Sequence, residues 1–435
     1  MRLIPRKATS TITIVDQYCD EYKDLFPEVR TFENFKYLHV GILSDIKRKS
    51  LPEIAKSVGL HDAQPLQNFL TDSPWSVVEL RSRRLELTLK MLKGRAFKLV
   101  IDETGDKKKG NHTDYVSRQY IGNLGKVENG IVSVNAYGVL DELTFPLIFL
   151  IYKPRKRLKE GEAYKTKPQL AVEIIETLIE WGFNFDLVLA DSLYGESPTF
   201  VSALTKYEKH YLLAIRSNNK ELVSPLQTAP NGEWSEFERV FNNGKQEKRS
   251  IQQITFDLEK PETYWRITTD PEQLPKNQTW YVKTDLKSDV SSKLGNFYGL
   301  RNWVEYAFKQ GKNELGWADF RLTEYHQIEK WWEIVLSVYF FVSLHAQARN
   351  ESFSHQSSES NNVEPSGFSK HEWWDYKKGW KSTLNNIRLV IQPYIFWNLI
   401  KPWLTVFINE NLQVGFEKIL EIMNCFPGYV PVDSG

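Results

Sequence analysis

Residues 97–102 read Phe-Lys-Leu-Val-Ile-Asp, a short, branched and apolar run that ends on a carboxylate. A run of this length without Pro or Gly predicts a β-strand of the buried type. The same texture recurs outward from it. Ile131–Leu140 and Phe145–Tyr152 predict two more strands joined by a short Asp-Glu turn, and Leu187–Asp191 and His210–Arg216 predict two others. Amphipathic helix is expected over Leu170–Trp181 and again from about Ser197. Three strands followed by alternating helix and strand predict an α/β fold, a mixed sheet flanked by helices.

Beyond Ser217 the pattern changes. Trp234–Phe241, Arg249–Phe256, Tyr264–Thr269 and Thr279–Asp285 predict strands separated by Asn-Gly, Asn-Asn-Gly-Lys and Pro-rich turns, so 217–285 is expected to be a β-rich insertion. Helix resumes at Ser291 and runs, with breaks, to Arg349. Residues 351–370 are Ser- and Asn-rich and are expected to be a flexible linker before a helical C-terminal region, 371–435. Upstream, 1–95 read as mostly helical. The expected divisions are therefore 1–95, 96–216, 217–285, 286–350, 351–370 and 371–435.

Within the N-terminal part, Ser50 and Glu53 have capping-box spacing. Leu51, Ile54, Ala55 and Val58 share one face, and Gly59 suits a helix stop. A second helix is expected to start near Asp62 and to carry Leu66, Phe69 and Leu70. Helix, Gly turn, helix reads either as a DNA-docking helix-turn-helix or as an ordinary helical hairpin.

Composition narrows the classes. The chain has 435 residues, 41% hydrophobic and 26% charged, enough to bury more than one core and against global disorder. Two cysteines, Cys19 and Cys425, with no CxxC, exclude a zinc ribbon or a disulfide framework. No apolar run reaches the ~20 residues of a membrane span, and no signal-peptide pattern follows Met1, so a soluble, cytoplasmic protein is expected. No GxxxxGK[ST] occurs, so no nucleotide cofactor is expected. The net charge of +1 conceals a local excess: 153–167 hold seven Lys/Arg against two Glu. Lys153, Arg155, Lys156 and Arg157 are candidate phosphate contacts, or simply a solvated loop.

Asp102 and Asp191 each end a predicted strand, where carboxylates can converge on one metal site or serve as turn and cap residues. Downstream, Tyr298, Arg301, Glu305 and Lys312 fall on one helical stripe about 60° wide and some 21 Å long. Glu suits a cation, and Arg and Lys suit phosphate oxygens. The same stripe would also serve as a solvated face with an i, i+4 Arg301–Glu305 pair.

These residues resemble the DDE transposases of bacterial insertion sequences, in the IS4-like superfamily, and within it the IS701 type. The likeness rests on IDETGDKKKG around Asp102, VLADSLYGE around Asp191 and the Tyr-x2-Arg-x3-Glu-x6-Lys spacing from Tyr298. NFLTDSPW, RQYIGNLGKVENG and WADFRLTEYHQIEKWWEIVLS extend it over about 45–350. The resemblance implies a ribonuclease H-like catalytic core interrupted by a β-rich insertion. It implies Asp102, Asp191 and Glu305 as catalytic ligands of two Mg²⁺, with Mn²⁺ able to substitute, and Tyr298, Arg301 and Lys312 as DNA contacts. A Trp of the insertion stacks on a flipped base in relatives; Trp234, Trp265 and Trp280 are the candidates here, each alternatively a core residue. The implied partners are double-stranded DNA, as transposon ends and target, and a second copy in a synaptic homodimer on the nucleoid. The implied activity is cut-and-paste transfer; the alternatives are a nuclease without strand transfer and a non-cleaving DNA-binding descendant.

Overall fold

A computed structural model describes residues 6–141, 143–219, 232–240, 246–254, 262–286, 291–356 and 367–429. The expected turn at 242–245, residues Phe241 and Phe256, and 357–366 of the expected linker lie outside these residues.

In chain order, helices α1 (Thr13–Asp20), α2 (Val29–Leu43), α3 (Leu51–Ser57), α4 (Gln64–Thr71) and α5 (Val77–Leu92) come first. Strands β1 (Phe97–Lys107), β2 (Ser117–Ile121), β3 (Lys126–Leu140) and β4 (Leu143–Ile151) follow. Next are α6 (Lys167–Glu180), β5 (Phe185–Ala190), α7 (Ser192–Gly195), α8 (Pro198–Lys206) and β6 (Tyr211–Ile215). Then come β7 (Trp234–Val240), β8 (Gln246–Ile254), β9 (Thr263–Thr268) and β10 (Thr279–Thr284). The chain closes with α9 (Ser291–Asn313), α10 (Tyr325–Gln356), α11 (Trp380–Val406) and α12 (Glu410–Met423). No described helix is long and apolar enough to cross a membrane.

The chain separates into two compact units, Gly94–Phe308 and a second made of Met1–Lys93 with Lys309–Gly435. The first is built on one ten-stranded sheet in the order β2-β3-β1-β5-β6-β10-β9-β8-β7, with β4 on β3. β1 runs antiparallel to β3 and parallel to β5, and β5 runs parallel to β6. Leu99, Val100 and Ile101 are all fully buried, so β1 is covered on both faces, as its unbroken apolar run requires. α6 starts on a capping box between Thr166 and Gln169 and buries Leu170, Ile174, Ile175 and Leu178. The strands of the expected β insertion form close to their expected places, but they are not a separate sheet. β10 pairs with β6, so β7–β10 extend the central sheet.

The other unit is helical. The apolar run Ile334–Ala346 lies in the buried middle of α10, whose apolar surface faces neighbours all round. Trp317 stacks on Trp332 and Tyr339 on Trp380, each with ring centroids 4.5 Å apart. Arg84 of α5 and Glu333 of α10 form a fully buried ion pair, which Arg81 flanks. A polar chain crosses the same core. His39 donates from Nδ1 to the Phe35 carbonyl at 2.8 Å and accepts from Ser337 Oγ at 3.0 Å. Tyr18 donates to the Ser337 carbonyl at 2.9 Å and meets the Tyr22 hydroxyl at 2.8 Å.

Helix α4 begins at Gln64, close to Asp62, whose carboxylate accepts from the Gln64 N–H at 2.8 Å. Two expectations need correction here. Ser50 occupies the N-cap of α3, but its side chain makes no capping bond. Finally, residues 351–356 of the expected linker are the end of α10, and 367–370 form a 3-10 turn.

Candidate active site

Asp102 is not at a strand end: β1 continues to Lys107 because β3 goes on pairing with it, with Asp102 opposite Asn135. Only the parallel partner stops. The β1–β5 ladder ends at Ile101 with Ala190, so Asp102 and Asp191 are the next residues on adjacent strands, at the C-terminal end of β5. Asp191 caps α7, its Oδ1 accepting from the Leu193 N–H at 2.9 Å. Gly195 makes that turn possible: a Cβ there would lie 2.1 Å from the Ala214 carbonyl oxygen of β6.

α9 brings in the third group. Val304 and Ala307 are fully buried, which seats the helix, but Tyr298 is also only 7% exposed. The polar stripe is therefore not a plain solvent face. Arg301 stands between two carboxylates, with Nη1 3.9 Å from Asp102 Oδ2 and Nη2 3.9 Å from Glu305 Oε1. Lys312 lies in the last turn of the helix.

Burial pushes the Asp102 carboxyl up to about 7; Arg301 pulls it down, and the Asp191 charge adds to the rise. For Arg301, burial opposes the charged form, but Tyr298, Asp102, Asp191 and Glu305 outweigh it and hold the guanidinium charged. Glu103 points elsewhere, as alternation along a strand requires, and is held by Lys167 at 2.8 Å.

A cavity of 520 Å³ opens beside these groups, lined by Asp191, Arg301, Tyr298, Lys276, Trp280 and Ser217 among others. It separates the three Trp candidates. Trp280 lines it. Trp265 is 5% exposed and bonded to Thr263, and Trp234 sits under Arg266. Lys276 and Ser217 carried no signal in the sequence, because loops deliver them from distant positions.

The basic segment is mostly tied down. Lys153 pairs with Glu162 at 2.6 Å, and Arg157 donates to the carbonyls of Asn111 and Thr113. Arg155 lies over the Tyr164 ring, and it and Lys156 are exposed.

Two hard oxygen donors at adjacent register positions, one of them a carboxyl raised by burial and further by its like-charged neighbour, fit a divalent cation. Glu305 stands on the far side of Arg301, and among the described residues no three His, Cys, Asp or Glu side chains are gathered for one ion.

A family model described as DDE superfamily endonuclease matches residues 23–269. A probable transposase for insertion sequence element IS701 from Microchaete diplosiphon is 56% identical over 326 residues, 75% of this chain and 86% of that protein.

Proposed function

The chain belongs to the DDE superfamily of endonucleases and, within it, to the IS701-type transposases, and we propose that it cuts an insertion sequence from DNA at its ends and joins the freed ends to a target. The observation that supports this most is the placement of Asp102 and Asp191 side by side, with the Arg301 guanidinium against Asp102.

In this reading Asp102, Asp191 and Glu305 hold two divalent cations, Mg²⁺ or Mn²⁺. Bound there, such ions polarise the scissile phosphoryl group and favour an oxyanion nucleophile. The chain's own groups do the rest. Arg301 offers a planar fork to the non-bridging oxygens, and Tyr298 and Lys312 hold the end DNA. Trp280, on the cavity wall, is the Trp that takes a displaced base. Arg155 and Lys156 track neighbouring phosphates.

Water attacks phosphorus and the P–O3′ bond breaks, leaving a 3′-hydroxyl and a 5′-phosphate. The 3′-hydroxyl then attacks a target phosphodiester, forming one P–O bond and releasing one target 3′-hydroxyl. Bonds are exchanged one for one, so no nucleotide is consumed. A homodimer holding both ends in the cytoplasm, on the nucleoid, completes the proposal.

The test is an assay in Mg²⁺ or Mn²⁺ on DNA carrying the element's ends. Asp102→Asn, Asp191→Asn and Glu305→Gln are each expected to abolish cleavage while end binding persists. Cleavage that survives a substitution removes that residue from the site. Nicked DNA without joined product would make the chain a nuclease only, and binding without any cut a non-cleaving descendant.

A further inference from the structure

We propose that Arg249, with Arg239, forms a second phosphate-binding site behind Trp280, next to Arg301, for a backbone phosphate other than the one being cut. Only the identity of the phosphate's carrier, DNA, rests on the transposase reading.

The strand register places the groups. Phe237 faces Arg249 and Arg239 faces Glu247 across β7 and β8, so all four side chains share one face of the sheet. That face packs on α9. A Cβ at Gly295 would lie 2.3 Å from the Phe237 ring, and one at Gly299 3.5 Å from Arg239 Nε. Arg239 therefore lies against the helical turn that carries Tyr298 and Arg301. Arg249 lies over the Trp280 ring, 4.5 Å from its centroid, and Trp280 and Arg301 both line the cavity beside Asp191.

Hydrogen bonding there is incomplete. Arg239 and Arg249 are each 7% exposed. Arg249 Nη2 donates to Glu247 Oε2 at 3.0 Å, but its Nε and Nη1 are buried without a partner, as is Arg301 Nε. Burial, with the charges of Arg249 and Arg301, holds the Arg239 guanidinium below its usual range. Buried donors left unpaired are costly, and arginines crowded together repel. One anion with several oxygens in a tetrahedral array answers both, and phosphate is that class. Glu247, its side chain 34% exposed, stands at the rim as the internal anion that an incoming phosphate displaces.

The probes are inorganic phosphate and end DNA, on the full chain. Phosphate replacing chloride at constant ionic strength is expected to raise the melting temperature of the wild type. That rise should vanish in Arg249→Gln and grow in Glu247→Gln. In chloride, Arg249→Gln should melt no lower than the wild type, since a like-charge contact is relieved. On end DNA, Arg249→Gln should bind about tenfold more weakly, and its salt slope should fall by about one. A single methylphosphonate, scanned along the DNA, should weaken the wild type at one position where the variant is indifferent. An equal phosphate response in the wild type and Arg249→Gln, or none in the wild type, overturns the site. So does a lower melting temperature in both variants with no change in phosphate response, the result of a purely structural ion pair. An Arg249-dependent phosphate response without binding to end DNA keeps the site and overturns the transposase reading.

Discussion

Arg301 meets two carboxylates with two nitrogens of one guanidinium, 3.9 Å from each. A Lys keeps the charge but has no planar fork, so it can satisfy one side at most. Arg301→Lys is therefore expected to lose nearly as much as Arg301→Gln. Single-turnover cleavage of end DNA should fall about 10²–10³-fold in both, the size seen when one preorganised donor is removed. Rescue by Lys to within a fewfold would show that only the charge matters.

His39 makes a second prediction at this scale. Burial drives its pKa down to about 4, and the Phe35 carbonyl offsets this only in part; His345, against the Phe341 carbonyl, is lowered to about 4 in the same way. An unfolded His titrates near ~6.5. Between these values the unfolded chain binds the extra proton, so stability falls as the pH drops from about 6.5 to 4. Each His contributes up to roughly 3 kcal/mol of that loss by pH 4. Asp102 has the opposite sign in this range, since its folded pKa lies above the unfolded one. The readable quantity is therefore the difference between the wild type and His39→Gln. Urea midpoints from pH 7 to 4 should show the wild type losing ground to the variant as the pH falls. A constant difference would mean that His39 is already charged, or not buried.

Among the elements, the four-residue α7 controls the position of Asp191. Its Gly195 faces backbone rather than a movable side chain, with the Ala214 carbonyl 2.1 Å from where a Cβ would sit. Gly195→Ala must push α7 off β6. It is expected to cost about 1–3 kcal/mol of stability and to remove cleavage by tilting the Asp191 cap. Retained cleavage with an unchanged melting temperature would show that the turn has room. The same element shows what periodicity can and cannot reveal. VLADSLYGE predicts a strand ending at an acid. That its Gly answers a carbonyl of β6 depends on which strand lies beside β5, a matter of pairing rather than pattern. Asp102 is the converse case. Its run reads as a strand that stops at the acid, but β3 extends the strand to Lys107, and non-local hydrogen bonds leave no local mark.

At the scale of the whole molecule, the helical unit is assembled from both ends of the chain, whereas residues 94–308 form theirs contiguously. The N-terminal helices α2 and α5 meet α10 through His39 with Ser337 and Arg84 with Glu333. A chain ending before Tyr325 deletes the α10 surface that covers α2 and α5, together with the Glu333 carboxylate that pairs Arg84. Such a truncation is expected to lose the far-UV signal of α1–α5 as well as that of the deleted helices. A loss confined to the deleted residues would mean that the N-terminal helices fold alone.

Residue order was sufficient for most strands and helices of the mixed sheet, though not for β2, α7 or the full length of β1, and for the likeness carried by Asp102, Asp191 and the Tyr298–Lys312 spacing, because periodicity and motif are local properties. Tertiary structure decided what lies between distant segments: the continuity of β7–β10 with the core sheet, the bridging position of Arg301, the placement of Trp280 rather than Trp234 or Trp265 on the cavity, and the buried arginines behind it. Each of these depends on pairing register and on burial in a shared low-dielectric space, which arise only when residues far apart in the chain are brought together.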